Sequence, residues 1–311
     1  MPNGNLKLVR IQFRRCFFAA LYLICSFPSF AEERLGWLDT VTLIPSTSKE
    51  FLSESFSKES IPGWGVILGS TTLLYHYDEK LYSFSQAKGR QLGLGNEDNT
   101  RAAVSVSGHE LLRVPGDTAS AMYFLGDGWL HFAIAGSIST YGYLTEQTYE
   151  VNTGIMIVHG MFVSTIFNQA LKRSFGRESP EVKTSERGSW KPFPSFNEYN
   201  SRTASYDAMP SGHVMTATLT FTILAERYPE HKIPIYSVGG VWVSALMFQM
   251  MNNGVHWASD YPLGIGMGWV IGKAAVKIAR QKAESKDSEL TWNYLPMPTQ
   301  GGAGLMAMKQ F

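Results

Sequence analysis

The chain has 311 residues, with 27 Lys and Arg set against 26 Asp and Glu for a net charge of +1. So balanced a charge creates no global field, and this argues against nucleic acid as a partner. Its two cysteines, Cys16 and Cys25, both fall within residues 1–31, so the rest of the chain holds neither disulfides nor thiolate metal sites.

In chain order, residues 1–15 carry Lys7, Arg10, Arg14 and Arg15 and no acid. An uncharged apolar run follows over 16–27, and Ser29-Phe30-Ala31 puts small residues where a signal peptidase reads. These are the parts of a secretory signal ending at residue 31. An anchor helix that stays is the alternative, although the run is short for a membrane span. Removal would leave about 280 residues, enough for one large core. A mature chain free of thiols suits an oxidising compartment. Export to the periplasm or the inner membrane is the expectation.

Residues 32–60 are polar and mixed, and read as an N-terminal extension. A first apolar segment covers 61–77, and residues 78–118 are charged, reading as short helices and loops. A second apolar segment, 119–144, is interrupted by Asp127 and His131. A third, 151–171, runs into Lys172-Arg173, a favourable charge at a helix C-terminus. Residues 178–209 form a polar connector with Pro180, Pro192 and Pro194, long enough to suggest a functional segment. Further helices are expected from about Ser211 to Arg227, over 234–255 and over 260–281, with Pro229, Pro234 and Pro262 at their boundaries. Alternating β-branched runs are scarce, so the fold class is all-α, a bundle of about six core helices over 61–281. The tail, 282–311, has a turn-rich centre flanked by Trp292-Asn293-Tyr294 and residues 305–311, the pattern of a small hairpin.

Hydropathy leaves two readings open. The mean hydropathy of −0.08 is that of a soluble protein. Yet 151–171 and 233–259 contain no Asp, Glu, Lys or Arg, and each is long enough to cross a hydrocarbon core of ~30 Å. A helix buried on every side in a soluble bundle satisfies the same pattern. The charge-free lengths tip the balance slightly toward a membrane-embedded bundle.

Three short segments carry chemistry. His256 and Asp260 are four apart, a spacing that shares one helix face and lets a carboxylate take the Nδ1 proton, leaving Nε2 as a nucleophile. In Pro210-Ser211-Gly212-His213, Ser211 can cap a helix whose free N–H groups bind phosphate oxygens. Gly212 admits close backbone approach, and His213 can protonate a leaving oxygen. Lys172 ends a helix and offers a cation to an anion held at the start of another. Taken singly, each has an ordinary structural explanation: a helix cap, an exposed histidine, a solvated basic helix end.

Taken in this order, the three resemble the type-2 phosphatidic acid phosphatase and vanadium-haloperoxidase superfamily. Its pattern is Lys, six residues, Arg-Pro; then Pro-Ser-Gly-His; then Ser-Arg, five residues, His, three residues, Asp. Lys172 and Pro180 fit the first motif, residues 210–213 the second, and His256 and Asp260 the third. The resemblance implies the acid phosphatase/vanadium haloperoxidase type of helical bundle. It also implies a phosphatase acting on a lipid phosphate, another phosphomonoester or a pyrophosphate, through a phosphohistidine on His256 oriented by Asp260. His213 would be the acid for the leaving alcohol and the base for water. Lys172, Ser211 and the Gly212 N–H would hold the phosphoryl oxygens. No metal or other cofactor is implied for phosphatase members. The expected partners are a phosphate-bearing lipid or small phosphoester and a membrane, with the active site on the periplasmic side.

Two departures stand out. The family's arginines fall here on Ser179 and Met250, and loss of one such donor commonly costs ~10²–10³ in rate. Arg177, two residues before Ser179, is the candidate substitute at the phosphate. Lys183, Arg187, Lys191 and Arg202 are further cations in the connector, and Trp190, Phe193, Phe196 and Tyr199 form an apolar set suited to a lipid tail or to anchoring the loop. A non-catalytic binder of phosphate-bearing lipid, and a vanadate-dependent haloperoxidase, remain as alternative functions.

Overall fold

Several helix boundaries fall at caps and glycines of the sequence: Ser211 caps one helix, and Gly176 and Gly254 end two others in the left-handed region. The computed structural model describes residues 32–97, 99–106, 109–288, 292–299 and 302–309. The expected signal, residues 1–31, lies outside the described residues.

The described chain forms α1 (Asp39–Thr42), α2 (Ile44–Ser55), α3 (Ile61–Gln91), a hairpin of β1 (Thr100–Val106) and β2 (His109–Pro115), α4 (Thr118–Phe124), α5 (Gly128–Leu144), α6 (Thr148–Phe175), α7 (Phe196–Ser201), α8 (Gly212–Arg227), α9 (Lys232–Asn253) and α10 (Tyr261–Ser288). A second antiparallel pair, β3 (Trp292–Thr299) and β4 (Gly302–Lys309), is the hairpin expected of the tail. The molecule is an all-α bundle. Its six expected core helices are α3, α5, α6, α8, α9 and α10, and four shorter α-helices accompany them among the described residues.

Three expectations need correction. The first apolar segment does not stop at 77: α3 continues through the charged stretch to Gln91, and carries Asp78 into the interior. Residues 100–106 and 109–115 pair as strands where loops and short helices were expected. Residues 32–60 are not a mere extension. Leu43, Thr47, Phe51 and Ser55 recur at a spacing of four and are all buried, so one face of this outwardly polar segment packs on the bundle. Leu35, Leu43 and Phe51 join the main core.

That core is centred on α6, which is buried around most of its circumference by Val151, Ile155, Met156, Ile157, Met161 and Val163. Met215, Leu219 and Ile223 of α8 and Met267 and Ile271 of α10 close it. The two latter helices approach unusually near: a Cβ on Gly268 would collide with the Met215 carbonyl, and one on Gly272 with Thr222. A smaller cluster of Val214, Leu246, Met250 and Tyr261 joins α8, α9 and the start of α10. Among the described residues two stretches, Thr148–Phe175 and Pro229–Asn253, are long and apolar enough to cross a membrane, and only 28% of the second's most apolar window is buried.

Candidate active site

Lys172 stands in the last turn of α6. The helix ends at Gly176 in the left-handed region (φ 55°), where a side chain would strike the Lys191 carbonyl. Lys191 N–H donates to Gly176 O at 2.8 Å, so the connector folds back over the helix end. The Lys172 ammonium is largely buried and pairs with Asp207 at 3.1 Å. It borders a half-open hollow of about 220 Å³ whose walls include Asn168, Lys172, Gly126, Gly212, His213 and Thr216.

Ser211 is the N-cap of α8, its hydroxyl accepting the Val214 N–H at 3.5 Å. The same hydroxyl lies 3.9 Å from the Met250 sulfur. The Ser211 N–H donates to the Asp260 carbonyl at 3.2 Å, which ties the start of α8 to the start of α10. Gly212 is pressed against the Asn168 amide, leaving no room for a Cβ. His213 packs on the Tyr123 ring at 4.9 Å. Burial pushes its imidazole down to about 3, and the positive charges of His256, Lys172 and His131 add to the shift.

His256 is buried and is not part of this hollow's wall, although it is near enough to His213 to act on it electrostatically. It precedes a single 3₁₀ turn, Ala258–Asp260, instead of sharing an α-helical face with Asp260. Its Nδ1 lies 2.5 Å from the Ala208 carbonyl and 3.6 Å from the nearer Asp260 oxygen. A carbonyl only accepts, so the Nδ1 proton goes to Ala208 and Nε2 keeps its lone pair. The expected tautomer is therefore held chiefly by main chain. Asp260 is occupied elsewhere: Oδ2 accepts the Trp257 N–H at 2.7 Å and Oδ1 accepts Arg177 Nη1 at 2.5 Å.

Arg177 does not reach the hollow, contrary to its expected place at a phosphate. It is fully buried, with Nη1 also donating to Ser259 Oγ at 2.7 Å and Nη2 to Asp78 Oδ2 at 2.7 Å. The Trp257, Trp190 and Tyr75 rings surround its guanidinium at 5.0–5.4 Å. Two carboxylates and three aromatic faces offset the cost of burying this charge. Asp78 is fixed in turn by the Ser259 hydroxyl at 2.6 Å and N–H at 3.0 Å. Burial pushes the Asp78 carboxyl up, against the opposing pull of Ser259 and Arg177.

Three of the four connector cations are also committed. Lys183 pairs with Glu79, Arg187 with Glu186, and Lys191 lies 3.4 Å from Glu178. Tyr199 is buried under the Arg173 guanidinium at 4.1 Å, whereas Phe193 and Phe196 are exposed. Asp78, Asp207, Asn168 and Ala208 escaped the sequence reading. The only available signal was Asp78 opening the charged run directly after the first apolar segment. Among the described residues no group of three His, Cys, Asp or Glu is arranged to hold a metal ion.

Lys172, Gly212 and His213 thus share one hollow, while His256 bonds to Ala208 and Asp260 to Ser211, and Arg177 is held by Asp78 and Asp260. Residues 154–284 match the family model of the PAP2 superfamily, a span that holds all seven of the expected site residues. Among solved structures the chain is similar to a transmembrane PAP2 type phosphatidylglycerolphosphate phosphatase from Bacillus subtilis. The identity is 14% and the TM-score 0.41, over 68% of this chain and 96% of that one. No curated protein matches the chain.

Proposed function

We propose that the protein is a phosphatase that removes phosphate from a lipid phosphate, or from a related phosphomonoester or pyrophosphate, through a phosphohistidine. The observation that carries this reading is the tie between His256 Nδ1 and the Ala208 carbonyl, together with a hollow walled by Lys172 and His213. A phosphate in the hollow meets the Lys172 ammonium and the N–H groups at the start of α8. Nε2 of His256 forms a bond to phosphorus as the bond to the leaving oxygen breaks, and His213 passes to that oxygen the proton that a monoanionic phosphate brings. Water then attacks phosphorus with His213 taking its proton, and the phosphorus–nitrogen bond breaks to release phosphate and neutral His256. Asp260 adds negative charge near the imidazole while it is phosphorylated.

A membrane-bound lipid substrate is favoured by the α9 surface, where Ile233, Val238 and Val241 are exposed, as suits a helix in contact with lipid. The proposed location is the inner membrane or periplasm, with the site on the outer side. A second reading has one specific observation behind it. Met250 places a thioether against Ser211 where the family has an arginine, which suits a non-catalytic binder of phosphate-bearing lipid. Phosphate release from phosphatidic acid and from p-nitrophenyl phosphate, compared with His256→Ala, decides between them. Equal background from wild type and variant would eliminate the phosphatase reading.

A further inference from the structure

Behind His256 lies a closed cluster of three charges contributed by three distant parts of the chain. Asp78 comes from α3, Arg177 from just beyond α6, and Asp260 from the turn before α10. All three are fully buried, so solvent screens none of them. Each guanidinium nitrogen of the pair Nη1 and Nη2 takes a different carboxylate, at 2.5 and 2.7 Å.

The charge count decides what the cluster does. Arg177 and Asp260 alone make a neutral pair. Such a pair offers little to an imidazole that turns cationic when Nε2 takes a phosphoryl group, and the Ala208 carbonyl supplies only a dipole. With Asp78 on the other side of the same guanidinium, the sum is one negative charge. We propose that Asp78 is a positioning residue for the reaction at His256: it neutralises Arg177 and so leaves Asp260 with a net negative charge beside the imidazole. Ser259 holds the arrangement rigid by donating its hydroxyl and its N–H to Asp78 while accepting from Arg177. Asp78 lies outside the span that matches the family.

The other charged and titratable groups around His256 are compensated or uncharged. Lys172 of α6 is paired with Asp207 of the connector. His213 of α8, pushed down to about 3 by its burial, adds no charge to the same space at neutral pH. Tyr261 of α10, its ring 6.2 Å from that of His256, sits in burial that holds its phenol protonated. The cluster is therefore the main source of negative charge for the phosphorylated ring among the described residues.

The proposal rests on His256 being the nucleophile, and its test has an arm independent of turnover. The ring signals of His256 in full-length protein, assigned by their loss in His256→Ala, are titrated by NMR without substrate. Asp78→Asn is expected to lower the His256 midpoint by about one unit, and to reduce kcat by ~10–100-fold with KM little changed. Asp78→Glu keeps the charge and is expected to keep the wild-type midpoint. The double variant Asp78→Asn/Arg177→Gln again carries one net negative charge, and its midpoint is expected to return to the wild-type value. A purely structural Asp78, or one held neutral by its burial, leaves the single variant's midpoint unmoved or the double variant no nearer wild type; either result overturns the proposal. If Asp78→Asn does not fold, Arg177→Gln leaves two carboxylates and is expected to raise the midpoint; no change or a fall overturns it. Absence of phosphate release from wild type would remove the phosphatase reading, while the titration still decides the charge role.

Discussion

The Met250 sulfur and the Ser211 hydroxyl are 3.9 Å apart, both fully buried, at the point where α9 passes the first turn of α8. In the proposed correspondence, the place where the family pattern has an arginine is filled by a soft apolar side chain in contact with a proposed phosphate-binding residue. Restoring the cation is expected to help catalysis. Met250→Arg should raise kcat/KM by ~10-fold or more, because a charge-assisted donor is worth more than a neutral one in a dry site. It should also lower the thermal midpoint, since the small core of Val214, Leu246 and Tyr261 must admit a charge. Met250→Leu conserves volume and should change activity little. Steady-state phosphate release from both variants checks this. Unchanged or lower turnover in folded Met250→Arg would end the proposed correspondence.

His213 sets an expectation for pH. Its imidazole, pushed down to about 3, is neutral in the empty site at neutral pH. The proton for the leaving oxygen must then arrive with a monoanionic phosphate monoester, whose second ionisation lies near ~6. The profile of kcat/KM should fall above that value, following the substrate and not the histidine. An alkaline limb at pH 8 or higher would contradict it. The stability effect has a definite sign. The fold favours the neutral ring, so this contribution is complete above the ordinary value of 6.5 and is lost as pH falls from there toward 3.

A leaving-group comparison isolates the acid. p-Nitrophenolate departs without a proton, whereas a primary alcohol needs one. His213→Asn is expected to lose ~10²–10⁴ on an alkyl phosphate and on the order of 10-fold on p-nitrophenyl phosphate. Equal losses on the two substrates would assign His213 to binding instead of proton transfer.

Much of this site was legible because its parts are local. Pro210-Ser211-Gly212-His213 is a contiguous cap, and Ser211 does cap α8. Lys172 could be read at the end of an apolar segment, and α6 does end beside it. What the sequence hid is what depends on distant partners. Arg177 looked like a spare phosphate ligand because nothing in 171–180 reveals the carboxylate of Asp78 waiting 99 residues earlier. His256 and Asp260 looked like a helical pair because a spacing of four fits a helix, but the Trp257 N–H bond to Asp260 bends the chain into a 3₁₀ turn. Residues 43–55 looked like a polar extension because their average hides a buried stripe one residue wide.

The N-terminal end supplies a last prediction, on stability. Arg227, at the close of α8, is buried and binds both oxygens of Glu32, at 2.7 and 2.9 Å. It also donates to Thr153 Oγ1 and to the Tyr149 carbonyl, each at 3.0 Å, so it staples the first described residue to α6. Asn152 completes the clamp through Glu32 and the Glu33 carbonyl. Glu32→Ala leaves a buried guanidinium without its counter-charge, at a cost of about 3 kcal/mol or more. In a chain of this size that lowers the thermal midpoint on the order of 5–10 °C. Burial works against the Glu32 charge, but Arg227 and Asn152 outweigh it and hold the carboxyl below 4.5. Its contribution is therefore present above that value and lost as pH falls through the lowered one. The gap between wild type and Glu32→Ala should be widest near neutrality and should narrow on acidification, with little change on adding salt because the pair is largely buried. A variant as stable as wild type at pH 7 would show that Glu32 leaves the clamp in solution.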